Sequence, residues 1–137
     1  MLNKALVSDS SREAAGAAGE ALGVLAEVDM GLVTGRAHDL WMSHAGKIRA
    51  ALNEIKTSSD IERMRKAFER LSNELIVAVG QFGIPLGKTL YKTHCPMAFD
   101  NKGADWLQLD EAILNPYFGA SMLRCGEVKE VIGNKTK

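Results

Sequence analysis

Ile61, Met64, Phe68, Leu71, Leu75 and Val79 recur at steps of three and four residues, and that rhythm ends at Gly83 and Pro85. An α-helix turns once per 3.6 residues, so this spacing places the six side chains on one face. Ser59 followed by Glu62 predicts a capping box at its start, with Gly83 as the residue just past its end and Pro85 barring continuation. Two earlier segments show the same period. The spacing predicts a first helix over Ser11–Val33, with Asp9, Ser10 and Ser11 as N-cap candidates and a stripe of Ala14, Ala18, Ala21, Leu22, Leu25, Val28 and Leu32. Its small residues, Ala15, Gly16, Ala17, Gly19 and Gly23, suggest close approach to a neighbouring helix. A turn of helix over Leu2–Val7 precedes it. A second long helix is predicted over Arg36–Ile55, with Leu40, Trp41, Ala45, Ile48, Leu52 and Ile55 facing inward. Short connections make successive helices antiparallel neighbours, so the expected core is an antiparallel up-and-down helical bundle over about residues 1–83.

Beyond Pro85 the pattern changes. Thr89–Cys95 is rich in strand-forming residues, Ala104–Leu109 is a second candidate strand, and Asp100-Asn101-Lys102-Gly103 between them is a turn signal. A hairpin packed on the bundle is the simplest arrangement. Asn115-Pro116-Tyr117-Phe118-Gly119 makes another turn, Ala120–Cys125 one or two helical turns, and the polar tail over residues 133–137 frays. The expected fold class is therefore mainly α: a bundle with a small C-terminal β-hairpin and a short helical turn. The 137 residues form a single domain, with the hairpin region over about 85–130.

Charge narrows the partners. Lys plus Arg, 17, equals Asp plus Glu, 17, so the chain lacks the basic excess that nucleic acid requires. Arg63, Arg65, Lys66 and Arg70 alternate with Glu62 and Glu69, as on a solvated helix face. No run of 18 apolar residues predicts a membrane span, and the N-terminal stretch does not read as a signal peptide. No Ser–His–Asp order, paired-carboxylate spacing or C-x-x-C pair supports an enzyme, and Gly80 to Gly87 matches no phosphate-binding fingerprint.

The two cysteines carry the chemistry. Thr93-His94-Cys95-Pro96-Met97 and Met122-Leu123-Arg124-Cys125-Gly126 each place a thiol near a thioether, and such soft donors favour Cu(I) over Mg²⁺ or Ca²⁺. In a strand that reaches Met97, Cys95 and Met97 share a face. In a helical turn, Met122 and Cys125 do. The expectation is a Cu(I) or Ag(I) site made by Cys95, Met97, Met122 and Cys125, with His94 as a further donor although strand alternation points it the other way. The alternative is a Cys95–Cys125 disulfide, closing a loop of about 30 residues and stabilising by roughly 3–4 kcal/mol. A third reading is two reduced cysteines packed as small hydrophobes. Zinc fits poorly, since it takes four Cys or His ligands and disfavours methionine. His38 and Met42, near His44 on the second helix, form a weaker soft pair. Trp106, Tyr117 and Phe118 are expected in the core that seats the hairpin, with a cation–π role for Trp106 as the less favoured reading.

The C-terminal third also resembles something. The string Tyr91-x-x-His94-Cys95-Pro96-Met97-Ala98, then Gly103-Ala104-x-Trp106-Leu107, then Asn115-Pro116-Tyr117-Phe118-Gly119-x-x-Met122-Leu123-x-Cys125-Gly126-Glu127-Val128, is similar to a family of small, largely uncharacterised bacterial envelope domains. They occur alone or at the C-terminal end of CusB-type (HlyD-like) adaptors of copper and silver efflux pumps. Ala5-Leu6-Val7, the Ala-rich helix and Asp60-Ile61 through Leu71-Ser72 fit the same family. The resemblance implies a periplasmic or envelope location, a signal peptide removed or truncated from this chain, a heavy-metal role without catalysis, and an efflux adaptor or other envelope metal-handling protein as partner.

Overall fold

The computed structural model describes residues 2–26, 35–82 and 88–133. It is mainly helical with a small antiparallel sheet. The helical segments are α1 (Leu2–Val7), α2 (Ser11–Ala26), α3 (Gly35–Thr57), α4 (Ile61–Phe82) and a four-residue turn, α5 (Ala98–Asn101). The strands are β1 (Thr89–Cys95), β2 (Ala104–Gln108) and β3 (Glu127–Gly133), in the order β2-β1-β3. The predicted residues Val28, Leu32, Gly83, Pro85 and the tail beyond Gly133 lie outside the described residues.

Capping sets where the helices begin. The Ser10 hydroxyl accepts the Glu13 N–H at 3.1 Å, so Ser10 caps α2. At α4 the predicted Ser59–Glu62 box is replaced by Asp60, whose carboxylate accepts the Glu62 N–H at 3.0 Å while its carbonyl takes the Met64 N–H. The shift by one residue follows from Ser58, whose hydroxyl accepts the Asp60 N–H and turns the chain one position later.

Packing runs α1 on α2, α2 on α3 and α3 on α4, with α4 against β2. Ala14, Ala17 and Ala18 of α2 and Ala45, Ile48, Ala51, Leu52 and Ile55 of α3 are buried. The close approach is made by alanines: a side chain at Gly16 or Gly23 would meet nothing, and one at Gly19 would touch only the Lys56 stem. The predicted α3 stripe also loosens at its start, where Leu40 is exposed. His44 is buried between α3 and α4, its Nδ1 2.9 Å from Glu74 Oε1 and its Nε2 2.8 Å from Gln81 Oε1. That pairing makes His44 a strut between the helices, while Met42 is exposed.

The predicted hairpin is present as β1 and β2, with Cys95 opposite Ala104 and Thr93 opposite Trp106. It is not the whole sheet. β3 pairs with the other edge of β1, with an irregularity between Lys92 and Thr93. Sequence patterning missed β3 because its side chains are nearly all exposed or half-buried, which leaves little apolar alternation to read. Strand alternation puts Thr93, Cys95, Ala104 and Trp106 on the buried face. Trp106 is fully buried and meets Tyr117 edge-on at 5.8 Å, and Tyr117 in turn packs on Phe68 and Phe99. Helices and sheet thus share one core, which reaches from Leu2 to Tyr117.

Candidate functional site

The two sulfur segments flank the β1 end of the sheet. β1 ends at Cys95, so the alternation that would have aligned Met97 with Cys95 stops before Met97. Met97 instead opens α5 with helical backbone angles. On the other side, a 3₁₀ turn over Gly119–Met122 ends just before Cys125, whose N–H reaches back to the Met122 carbonyl at 3.1 Å. The strand geometry expected to set Met97 beside Cys95 is therefore absent, while Met122 and Cys125 are joined through a backbone turn.

The thiols meet. Cys95 is fully buried, Cys125 is half-buried, and their Sγ atoms stand 3.4 Å apart although 30 residues separate them. A disulfide bond is about 2.05 Å long, so these are two free thiols in contact. The Cys125 thiol is pushed up from its ordinary value, first by its hydrogen bond with Cys95 and then by burial. It is thus a protonated thiol at neutral pH, the reverse of the lowered thiol of a reactive cysteine. Met97 and Met122 line a different place, a cavity of about 490 Å³ over α4 that neither cysteine borders. His94 occupies the far face of β1, with Nδ1 2.6 Å from Asp105 Oδ1. Among the described residues, no three His, Cys, Asp or Glu side chains gather into a metal-binding group.

A polar scaffold that pattern reading missed sets these positions. Asn115 is fully buried. Its Oδ1 accepts the N–H groups of Tyr117 and Phe118 at 2.8 and 3.2 Å, and its Nδ2 donates to the Cys125 carbonyl at 2.7 Å. One amide side chain therefore closes the Asn115–Gly119 turn and fixes the backbone that carries the second thiol. Arg65 does the same between regions. Buried on α4, it donates from Nε to the Pro116 carbonyl at 2.8 Å and from Nη2 to the Leu6 carbonyl at 2.9 Å and Asp9 Oδ1 at 2.7 Å. Asp9 Oδ2 accepts the Ala120 N–H at 3.0 Å. The Arg65 hydrogen bond, followed by that of Ala120, holds the Asp9 carboxyl below its ordinary range. Gly119, at φ 59°, closes the junction: an added Cβ would overlap the Asp9 carboxylate and lie 2.7 Å from Arg65 Nη2. Arg65 did carry a sequence signal, since it lies four residues after Ile61 and three before Phe68, on the apolar stripe.

Tyr117 completes the wall. Its hydroxyl donates to the Asp105 carbonyl at 2.6 Å, and burial drives its acidity far below that of a free phenol, so it stays neutral. Trp106 donates its indole N–H to Gln108 Oε1 and is otherwise closed in by the core.

A family model described as "Protein of unknown function (DUF3347)" matches residues 1–86. No curated protein and no solved structure matches the chain. The match covers the helical region and stops before both sulfur segments, whereas the core and the Arg65 junction continue across residue 86. Among the described residues, no helix is long and apolar enough to cross a membrane.

Proposed function

The chain belongs to the DUF3347 family of proteins of unknown function, and from that premise we propose that it is a non-catalytic domain binding Cu(I) or Ag(I) through Cys95 and Cys125. The observation that carries the reading is the pair of thiols held 3.4 Å apart on a buried scaffold. A metal–thiolate bond is about 2.3 Å for zinc. Two thiolates on one ion therefore stand roughly 4 Å apart, a small spreading of the pair. Among the described residues no third His, Cys, Asp or Glu joins the two thiols in a metal-binding group, and a dithiol suits a soft ion of low coordination number better than zinc. The raised Cys125 thiol argues against thiol catalysis and makes metal uptake release protons. In this reading α2, α3 and α4 form an antiparallel up-and-down bundle that carries the site. The periplasmic or envelope location, and transfer of the ion to an efflux adaptor of the CusB type, rest on the resemblance of the C-terminal motif.

Titration of the fully reduced protein with Cu(I) against a competing chelator tests this. The expected result is a first, tight equivalent bound with a Kd of micromolar or tighter. Cys125→Ser, at the half-buried position, is expected to abolish it with little change in fold. Unchanged binding in that variant overturns the reading.

The same contact favours a second reading, an interaction module stapled by a Cys95–Cys125 disulfide. Closing that bond removes two hydrogens to an external oxidant. Protein recovered from an oxidising compartment would then weigh two daltons less than its reduced form. An unshifted mass there removes the staple.

A further inference from the structure

The geometry points to a second soft-metal site, separate from the dithiol: Met97 and Met122 form an outer thioether pair that takes Ag(I) or Cu(I) in the cavity over α4. The inference rests on the soft-metal reading for its choice of ion, but on a different observation. Each sulfur segment divides its donors, one thiol to the buried contact and one thioether to the same cavity. The two methionines come from opposite ends of the segment that joins β1 to β3, yet they line one space of about 490 Å³. Met97 is 46% exposed, so its thioether is open to solvent on this cavity.

The cavity suits a soft monovalent ion. Thioethers are neutral, so they bind without losing a proton. The charged residues on the wall cancel, Glu62 and Asp100 against Arg65 and Lys66, and Arg65 is already held by Asp9 and by the Leu6 and Pro116 carbonyls. Phe99 lines the same space. Its position depends on an unusual backbone: Phe99, Asp100 and Asn101 all have left-handed φ, at 53°, 56° and 67°. Left-handed backbone at three successive non-glycine residues is strained, and such strain gathers at ligand clamps and other functional sites.

The test is a titration of the full chain with Ag(I), which has no redox chemistry here, read by the methyl NMR signals of ¹³C-labelled methionine. In Cys95→Ser/Cys125→Ser protein, the Met97 and Met122 signals are expected to shift together while Met42 and Met64 stay fixed. The affinity should be at least about tenfold weaker than that of the dithiol and unchanged between about pH 5.5 and 7.5, since no proton leaves. In the reduced native chain, Met97→Leu/Met122→Leu is expected to lower uptake from two equivalents to one. Silent Met97 and Met122 signals in the serine variant overturn the proposal. So does a loss of the first, tighter equivalent in the leucine variant, which would mean one four-sulfur site. A dithiol that fails to bind leaves the methionine shifts as they are, so the two proposals fail separately.

Discussion

The helices and the C-terminal sheet region hold themselves together by different means. From α1 to α4 the stabilising contacts are repetitive and mostly apolar: alanine against isoleucine and leucine, one turn after another. From β1 to β3 a compact aromatic cluster around Trp106 and Tyr117 is tied in by polar contacts between residues distant in sequence. Asn115 organises a turn, Arg65 reaches from α4 to Pro116, and Asp9 reaches from the N-terminal end to Ala120. A periodic interface loses a fraction of its strength with each lost side chain. Polar ties are lost in steps, because a buried donor left without an acceptor costs about 1–3 kcal/mol at once.

The largest expected effect separates the regions outright. A fragment of residues 1–86, the span of the family match, exposes the Phe68 face that Tyr117 covers and leaves Arg65 without Pro116. It should lose its cooperative thermal transition, followed by circular dichroism. A sharp melt close to that of the full chain would show two independent units. Next comes Arg65→Met, expected to destabilise by about 3–5 kcal/mol in denaturant unfolding, since it leaves the Leu6 and Pro116 carbonyls without their buried donor. Gly119→Ala should cost about 2–4 kcal/mol through its clash at the same junction and its positive φ.

Asp9→Asn should cost less, about 1–2 kcal/mol, because Arg65 keeps two carbonyl acceptors. Its sign with pH is specific. The folded carboxyl sits below its ordinary value near 3.8, so its contribution is full above about pH 4 and fades as acid protonates it. Native protein should therefore lose stability below about pH 4 more steeply than Asp9→Asn. The smallest effect belongs to the helical region, where Arg70 pairs with Glu54 on the surface. Arg70→Ala should change stability by less than about 1 kcal/mol. A larger change there than at Asp9 would reverse the comparison.

Much of the helical region was legible because an amphipathic helix writes its fold into local spacing. The ends of α2, α3 and α4 within the described residues fall within about two residues of the predicted limits, and even the corrected cap at Asp60 involved a neighbouring residue of the same kind. The hairpin was legible for a similar reason, with strand-forming runs on either side of a turn. β3 was not, since an exposed edge strand needs no apolar pattern. Nor was the separation of thiols from thioethers, because it depended on β1 ending at Cys95.

The helical periods, the turn positions and the four soft donors in two short segments can be read from neighbouring residues alone. Those are local properties, set by which side chains lie one helical turn or one strand step apart. Only the tertiary structure decided that Cys95 and Cys125 touch, that Met97 and Met122 line a separate cavity, and that Asn115 and Arg65 hold both in place. Such contacts join residues tens of positions apart, and no local spacing encodes the direction in which a packed core turns the chain back on itself.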